Sequence, residues 1–241
     1  MTVLNAVGGL VLTDRYQEMS MKAAKAVALQ LKQKPNSALG LPTGRSPVGC
    51  YKLLSEWTGS GNLDWSKANC FALDDYLHVE EEFSFARFLE DHLFKNVNLP
   101  AGQKHNPCWV DNYDQVISHA GGLDLVMIGI GRNGHIAFNE PGTPVESWTH
   151  CVGLTESTRQ ANAPLFPNAK MVPSGAVSIG LSTILSARKV ILLVSGENKR
   201  DIVIRSLSGP VTTEVPASCL QRHPNMQVFA DFELPDHIPQ H

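Results

Sequence analysis

Short, uninterrupted apolar runs alternate along this chain with longer stretches in which apolar residues recur every three or four positions. Uninterrupted runs are typical of strands buried on both faces of a parallel sheet, and the longer spacing is typical of amphipathic helices. Strands are predicted at residues 37–41, 69–73, 123–128, 149–154, 189–194 and 227–230. Helices are predicted at residues 14–34, 47–59, 85–93, 113–120, 176–185 and 199–207. The alternation predicts an α/β fold with a doubly wound, mainly parallel sheet and helices on both faces, in which residues 1–241 form a single domain.

Composition and charge narrow the class of function. A formal net charge of −3 with 18% charged residues gives no reason to expect nucleic acid or an acidic membrane surface as a partner. The five cysteines are scattered without a CxxC pair, which is typical of reduced thiols rather than of disulfides or a zinc site. The first residues lack the basic start of a signal peptide, and no apolar run is long enough to span a bilayer. We therefore expect a cytoplasmic protein without a metal centre.

Polar residues follow several predicted strands at their carboxyl ends, the edge where open α/β sheets bind ligands. Thr43-Gly44-Arg45-Ser46 follows the first strand and precedes a helix, so free N–H groups, hydroxyls and a guanidinium could together bind an anion. Lys199 begins a later helix, where the dipole disfavours a cation unless an anion is bound nearby. An ordinary helix cap at Thr43 or Ser46 and a solvated lysine remain the simpler alternatives.

Two adjacent carboxylates, Asp74 and Asp75, follow the second predicted strand. Neighbouring side chains on a strand point in opposite directions, so at most one of them is expected to face a ligand cleft. Asp74 follows the apolar Leu73 at the strand end, which suits a general base whose pKa is tuned by burial. Two solvated carboxylates that cap the next turn would explain the same letters.

The loop at residues 129–142 carries the densest polar chemistry of the chain. Its first six residues match the GxGxxG dinucleotide pattern, but that pattern needs a helix directly after it, and Pro141-Gly142 arrives too soon. We therefore expect no nicotinamide cofactor, and no cofactor of another kind is indicated. His135 and Glu140 lie five residues apart and form a candidate acid–base pair beside Asn133. A solvated surface loop is the alternative.

At these residues the chain closely resembles the glucosamine-6-phosphate deaminase (isomerase) family in its short bacterial form. The matching segments are LGLPTGRSPVGCYKLL (39–54), FALDDY (71–76), GIGRNGHIAFNEPG (129–142), LTESTRQAN (154–162), LLVSGENK (192–199) and PASCLQRHP (216–224). The resemblance implies the Rossmann-like fold of that family. It also implies conversion of glucosamine 6-phosphate and water to fructose 6-phosphate and ammonia.

The resemblance also implies a role for each matching residue. Asp74 falls on the enolisation base that moves a proton from C2 to C1 of the opened sugar, and His135 on the group that opens the ring. Glu140 falls on the carboxylate that orients this histidine. Asn133 stands where the longer enzymes have Asp; its amide can orient the ring but cannot stabilise an imidazolium by charge. Thr43, Gly44, Arg45, Ser46 and Lys199 fall on the phosphate-binding positions.

Besides Asn133, the chain departs from the family pattern at three places. Pro164 stands where an arginine for the substrate phosphate is usual, and Arg45 stands where a glycine is usual. Our hypothesis is that Arg45 supplies the guanidinium that is lost at Pro164. No Arg or Lys lies between Pro141 and Arg159, the region that binds the activator in the allosteric members. We therefore expect no allosteric activation and a monomer.

The sequence leaves three alternatives open. A galactosamine-6-phosphate deaminase belongs to a sister branch and would yield tagatose 6-phosphate. A 6-phosphogluconolactonase would share the fold but would need no enolisation base at Asp74. A non-catalytic sugar-phosphate sensor would normally carry a DNA-binding module, for which the sequence has no spare segment.

Overall fold

The computed structural model describes residues 15–235 and residue 238. Asp14, the predicted first residue of the first helix, lies outside this range. So do most of the N-terminal segment, which lacks the basic start of a signal peptide, and most of residues 234–241. The described helices are α1 (Arg15–Gln33), α2 (Val48–Gly59), α3 (Phe85–His92), α4 (Tyr113–His119), α5 (Glu156–Asn162), α6 (Leu181–Leu185) and α7 (Arg200–Ser208). The strands are β1 (Ala38–Leu41), β2 (Asn69–Ala72), β3 (Asp74–Tyr76), β4 (Lys104–His105), β5 (Leu125–Ile128), β6 (His150–Gly153), β7 (Gly175–Ser178), β8 (Val190–Val194) and β9 (Met226–Ala230).

Six of these strands form one parallel sheet in the order β4-β2-β1-β5-β8-β9. Alternate residues of its central strands enter two different hydrophobic clusters. Leu125 and Met127 pack on one face with α1, α2 and α3, whereas Val126 and Ile128 pack on the other face with α4, α6 and α7. A strand that buries both faces must be apolar throughout, which is why these strands appear as continuous apolar runs. The predicted doubly wound, mainly parallel sheet is confirmed.

The prediction of one helix over residues 176–185 is wrong. Residues 175–178 form β7, and only Leu181–Leu185 is helical. β7 pairs antiparallel with β3 on one side and with β6 on the other, which makes a second, three-stranded sheet. Backbone pairing with two segments that are distant in sequence therefore outweighs the local helical spacing.

Gly180 marks the boundary between β7 and α6. A Cβ at Gly180 would lie 2.0 Å from the Ser147 carbonyl oxygen, so only glycine allows this close approach of two backbones. The two-residue strand β4 also lies in a region predicted to be irregular, residues 97–111. The strand predicted at 149–154 is confirmed as β6.

Three further features of the described residues concern membrane spans, cysteines and metal sites. No helix among them has both the length and the hydropathy that crossing a bilayer requires. All five cysteines are free thiols. The described residues contain no group of three or more His, Cys, Asp or Glu side chains placed to hold a metal ion.

Candidate active site

The polar segments singled out in the sequence follow four neighbouring strands of the parallel sheet. β2, β1, β5 and β8 are adjacent, and all four run in the same direction. Their carboxyl ends therefore lie along one edge, and the segments that contain Thr43, Asp74, His135 and Lys199 all begin there. This edge is where the fold places a ligand.

The two adjacent aspartates have different environments. The buried Asp75 carboxylate accepts hydrogen bonds from the backbone N–H groups of Tyr76 (2.8 Å), Phe85 (2.7 Å) and Ala86 (3.0 Å), and from Asn106 Nδ2 (2.6 Å). It holds the start of α3 against β3. Asp74 is also buried, at 7% exposure, but no described residue donates a hydrogen bond to its carboxylate. Asp75 is structural, and Asp74 is available for chemistry.

Strand pairing shows which way Asp74 points. Asp74 lies directly opposite Ser178 in the antiparallel pair, and opposed side chains share one face of a sheet. Ser178 Oγ accepts a hydrogen bond from the backbone N–H of Phe138 (3.0 Å) in the loop at 129–142. Tyr76, two residues after Asp74 and on the same face, packs against the Phe138 ring at 5.4 Å between centroids. Asp74 therefore faces the side occupied by the histidine loop, although the structure shows no direct contact between Asp74 and His135.

Burial changes the proton affinity of Asp74. Removal from water, with a further contribution from the neighbouring charge of Asp75, raises the pKa of Asp74 from 3.8 to about 8. A carboxylate with this pKa is a much stronger base than one in water. The Asp74 environment is therefore suited to removing a proton from carbon next to a carbonyl.

The glycines of the loop at 129–142 make room for His135 rather than for a nucleotide. A Cβ at Gly131 would lie 2.2 Å from His135 Cε1, so the imidazole rests directly on the glycine backbone. Gly134 has a φ of +86°, and a Cβ there would approach Val215 Cγ1 to 2.8 Å. The next described helix, α5, begins only at Glu156, so the GxGxxG match lacks the helix that dinucleotide binding needs.

Glu140 lies beside His135 but does not hydrogen-bond to it. Glu140 Oε2 is 3.7 Å from His135 Nδ1 and accepts a hydrogen bond from Asn133 Nδ2 at 2.7 Å. The other carboxylate oxygen, Oε1, accepts a short hydrogen bond from Thr158 Oγ1. Asn133 Oδ1 in turn accepts from the backbone N–H of His135 (3.2 Å). His135 Nδ1 is buried without a hydrogen-bond partner among the described residues.

Charge and burial favour the neutral form of His135. Burial lowers the pKa of His135; the carboxylate of Glu140 opposes this shift, and the positive charge of Lys199 adds to it. A neutral imidazole at neutral pH can accept a proton from a sugar hydroxyl. The electrostatic effect of Lys199 also shows that its side chain lies near the ring.

The turn at residues 43–46 presents backbone N–H groups for an anion. Tyr16 Oη donates to the carbonyl of Arg45 (3.1 Å), and Tyr51 Oη donates to the carbonyl of Pro42 (2.6 Å), so these carbonyls are held on the protein side. The N–H groups of residues 43–46 have no acceptor among the described residues. Gly44 has a φ of +90°, a conformation that favours glycine and turns successive N–H groups to one side.

Lys199 and Arg132 extend this positive region. Burial lowers the pKa of the Lys199 ammonium, and the nearby charge of Arg132 lowers it further against the effect of Asp231. Among the described residues no carboxylate forms an ion pair with Lys199. Arg45 is exposed, and no described side chain pairs with its guanidinium. Lys199 and Arg45, which form no ion pair among the described residues, follow strands that end at the same edge of the sheet as the free N–H groups of residues 43–46. Such cations and N–H groups are suited to a phosphate.

The structure thus places most of the predicted site residues near one another. Asn133, His135, Glu140 and Lys199 form one cluster, and Asp74 faces it. Sequence reasoning missed Thr158, although Thr158 lies within the matching segment at 154–162; its hydroxyl reaches Glu140 across 18 residues. Arg132 was also missed, although it lies within the matching segment at 129–142.

Comparison with known proteins decides the family. Residues 13–229 match the family described as glucosamine-6-phosphate isomerases/6-phosphogluconolactonase. The chain belongs to this family. It is 42% identical over 243 residues to a glucosamine-6-phosphate deaminase of Lachnoclostridium phytofermentans, covering 97% of this chain and 100% of that protein. The resemblance inferred from the motifs is confirmed.

Solved structures of family members are similar to this chain over most of its length. A protein described as a monomeric glucosamine-6-phosphate deaminase is 36% identical with a TM-score of 0.86, covering 89% of this chain and 93% of that one. A 6-phosphogluconolactonase from Thermotoga maritima is 19% identical with a TM-score of 0.67, covering 92% of this chain and 97% of that one. At that lower identity the similarity establishes the fold alone.

Proposed function

We propose that this protein is a glucosamine-6-phosphate deaminase, which converts glucosamine 6-phosphate and water to fructose 6-phosphate and ammonia. The observation that carries the proposal is Asp74, a buried carboxylate that faces the His135 loop and has no hydrogen-bond donor among the described residues. Hydrolysis of a lactone requires no base for a C–H proton. The names of relatives at 36–42% identity support the same choice.

His135 catalyses ring opening in this proposal. The neutral imidazole takes the proton of the C1 hydroxyl and delivers it to the ring oxygen, which breaks the bond between that oxygen and C1. Asn133 hydrogen-bonds both to Glu140 and to the backbone N–H of His135, and so keeps the Glu140 carboxylate beside the imidazole ring. A carboxylate near Nδ1 stabilises the imidazolium while it holds the proton.

Proton transfer between carbons is the work of Asp74. The carboxylate removes the proton at C2 of the opened amino sugar and returns it to C1. The C1 oxygen takes up one proton and the nitrogen at C2 releases one, which leaves a hydroxyl at C1 and an imine at C2. Water then adds to the imine, and ammonia leaves. Burial strengthens Asp74 as a base for this weakly acidic proton.

The phosphate of the substrate binds at the turn of residues 43–46 and Lys199. The free N–H groups of the turn and the ammonium of Lys199 supply charge-assisted hydrogen bonds. Arg45 replaces the guanidinium that Pro164 removes from the usual position, since its side chain is exposed and unpaired at the same turn. No metal or other cofactor is part of this scheme.

The test is ammonia release from glucosamine 6-phosphate, measured beside galactosamine 6-phosphate and 6-phosphogluconolactone. Ammonia from the gluco substrate with no lactone hydrolysis supports the proposal. Asp74→Asn should still bind the sugar phosphate yet release no ammonia. Preference for the galacto epimer would point to the sister activity, which the departure at Pro164 makes worth measuring. A wild type that only binds would be a sensor.

We also propose that the protein is a cytoplasmic monomer. The similar structure described as monomeric and the lack of Arg or Lys between Pro141 and Arg159 support this assembly. Light scattering at working concentration tests it. Sigmoidal kinetics relieved by N-acetylglucosamine 6-phosphate would contradict the expected lack of allosteric activation.

A further inference from the structure

Among the described residues, Thr158 donates to the Glu140 carboxylate from outside the histidine loop at 129–142. It lies on α5 and is 3% exposed. Its hydroxyl donates to Glu140 Oε1, whereas Asn133 binds Oε2. The two donors bind the two different oxygens of the Glu140 carboxylate and so fix its rotation. Oε2 is thereby held toward His135 Nδ1.

The hydroxyl of Thr158 is itself held in place. Thr155, the N-cap residue of α5, donates from Oγ1 to Thr158 Oγ1 at 3.1 Å, so the Thr158 proton is directed to Glu140. Chains of hydrogen bonds polarise one another and strengthen the last link. The position of α5 is therefore transmitted to the carboxylate through two hydroxyls.

We propose that Thr158 is a positioning residue for the proposed deamination: it holds the Glu140 carboxylate oriented toward His135, and so couples the placement of α5 to ring opening. Thr158 touches neither His135 nor the proposed sugar site in this structure. Its effect on the reaction passes through Glu140. This inference rests on the function proposed above, and it links α5 to His135 through the Glu140 carboxylate.

The physical reason is the orientation of a buried carboxylate. Glu140 is 4% exposed, and a buried carboxylate oxygen without a donor is unfavourable. Without the Thr158 hydroxyl, Oε1 has no donor among the described residues, and the carboxylate can rotate so that its charge moves away from His135. The charged groups facing His135 are Glu140 on its own loop and Lys199 before α7, and only the influence of Glu140 changes. The pKa of His135 should therefore fall further.

The experiment compares Thr158→Val with Thr158→Ser. Valine keeps the shape of threonine without the hydroxyl, and serine keeps the hydroxyl. We expect Thr158→Val to lower kcat by about 10- to 100-fold with KM unchanged, the effect typical of losing an outer partner of a catalytic group. Below the step that Asp74 sets at about pH 8, the kcat/KM profile should show a second break where His135 also takes up a proton, and this second break should move to lower pH. Thr158→Ser should restore both quantities.

A matched control is Gln160→Ala, which removes from the same helix an exposed side chain whose described hydrogen bond goes to Glu156. It should leave kcat and the pH profile as in the wild type. Unchanged kcat and pH profile in Thr158→Val would overturn the proposal. A shift of the second break to higher pH would also overturn it, because Thr158 would then be keeping Glu140 away from His135. If Thr158→Val does not fold, Thr158→Ala provides the same comparison.

A second readout separates this proposal from the proposed function. The titration of the His135 imidazole by NMR in the ligand-free protein does not depend on any substrate. If the wild type releases no ammonia, the deaminase proposal fails, and the NMR titration still decides the role of Thr158. A lower pKa of His135 in Thr158→Val, restored in Thr158→Ser, supports the positioning role. An unchanged pKa contradicts it.

Discussion

Replacing Asp74 by asparagine should greatly slow deamination while making the protein more stable at neutral and alkaline pH. The wild-type carboxyl is buried without a donor among the described residues, so its charged form is unfavourable in the folded state. Asparagine has nearly the same shape and no charge to bury. The general base contributes on the order of 10²- to 10⁴-fold to such a reaction, and kcat should fall by a factor in that range.

The magnitude of the stability gain follows from the pKa of Asp74. Its folded value of about 8 lies above the ordinary 3.8, so the folded state binds a proton that the unfolded state has released between these pH values. Its contribution is fully present below pH 3.8 and is lost as pH rises through about 8. The wild type therefore loses about 1.4 kcal/mol of unfolding free energy per pH unit in this window, and Asp74→Asn does not. The accumulated difference has an upper bound of roughly 6 kcal/mol.

The assay is urea unfolding of both proteins at several pH values between about 5 and 8, where the linkage has its full slope. Asp75→Asn is the matched control, one residue away. Asp75 accepts four hydrogen bonds from N–H donors, and the amide nitrogen of asparagine cannot accept any of them. That variant should be destabilised by at least about 1.5–3 kcal/mol, the value of a hydrogen bond to a charged group.

Two results would refute this reasoning. A stability difference between wild type and Asp74→Asn that does not change with pH would mean that Asp74 titrates as an ordinary carboxyl. Destabilisation of Asp74→Asn of the same size as that of Asp75→Asn would mean that Asp74 also has donors in the folded protein. A change in unfolding free energy from the new amide group that does not depend on pH does not affect this test. The test measures how the stability difference between the two proteins changes with pH.

Other predictions concern the pH profile, the glycine under the imidazole and the phosphate turn. The kcat/KM profile should rise with pH through about 8, because Asp74 must lose its proton in the free enzyme; a plateau already reached at pH 6 would contradict this. Gly131→Ala should lower kcat by on the order of 100-fold, because its Cβ would displace the His135 ring. Gly129→Ala should retain activity, since the nearest atom to its Cβ would be 3.9 Å away; equal losses in both variants would show that the loop tolerates no side chain. Arg45→Ala should raise KM by about 10- to 100-fold, the loss of one charge-assisted phosphate contact, and an unchanged KM would exclude Arg45 from phosphate binding.

Local patterns predicted most of the fold. The central strands of the sheet bury both faces, so their apolar runs are visible in the letters alone, and the parallel order places their polar ends along one edge. The turn at 43–46, Asp74, His135 and Lys199 could be singled out because each follows such a strand. The family resemblance then assigned their roles.

Local patterns failed where pairing is distant. β7, Gly175 to Ser178, is short and has no apolar run of its own. Its partners, β3 and β6, lie far away in the chain. Its identity as a strand depends on those partners rather than on its own spacing. The small sheet it forms is also what turns Asp74 toward the histidine loop.

The sequence by itself determined the parallel sheet, the edge at which chemistry gathers and the residue types present there, because apolar periodicity and glycine positions are local properties. Only the tertiary structure decided that Asp75 is structural while Asp74 is free, and that Thr158 holds Glu140. Both depend on hydrogen-bond donors supplied by segments 10 or more residues away. Such donors leave no periodic signal in the chain, and their positions exist only after the sheet has formed.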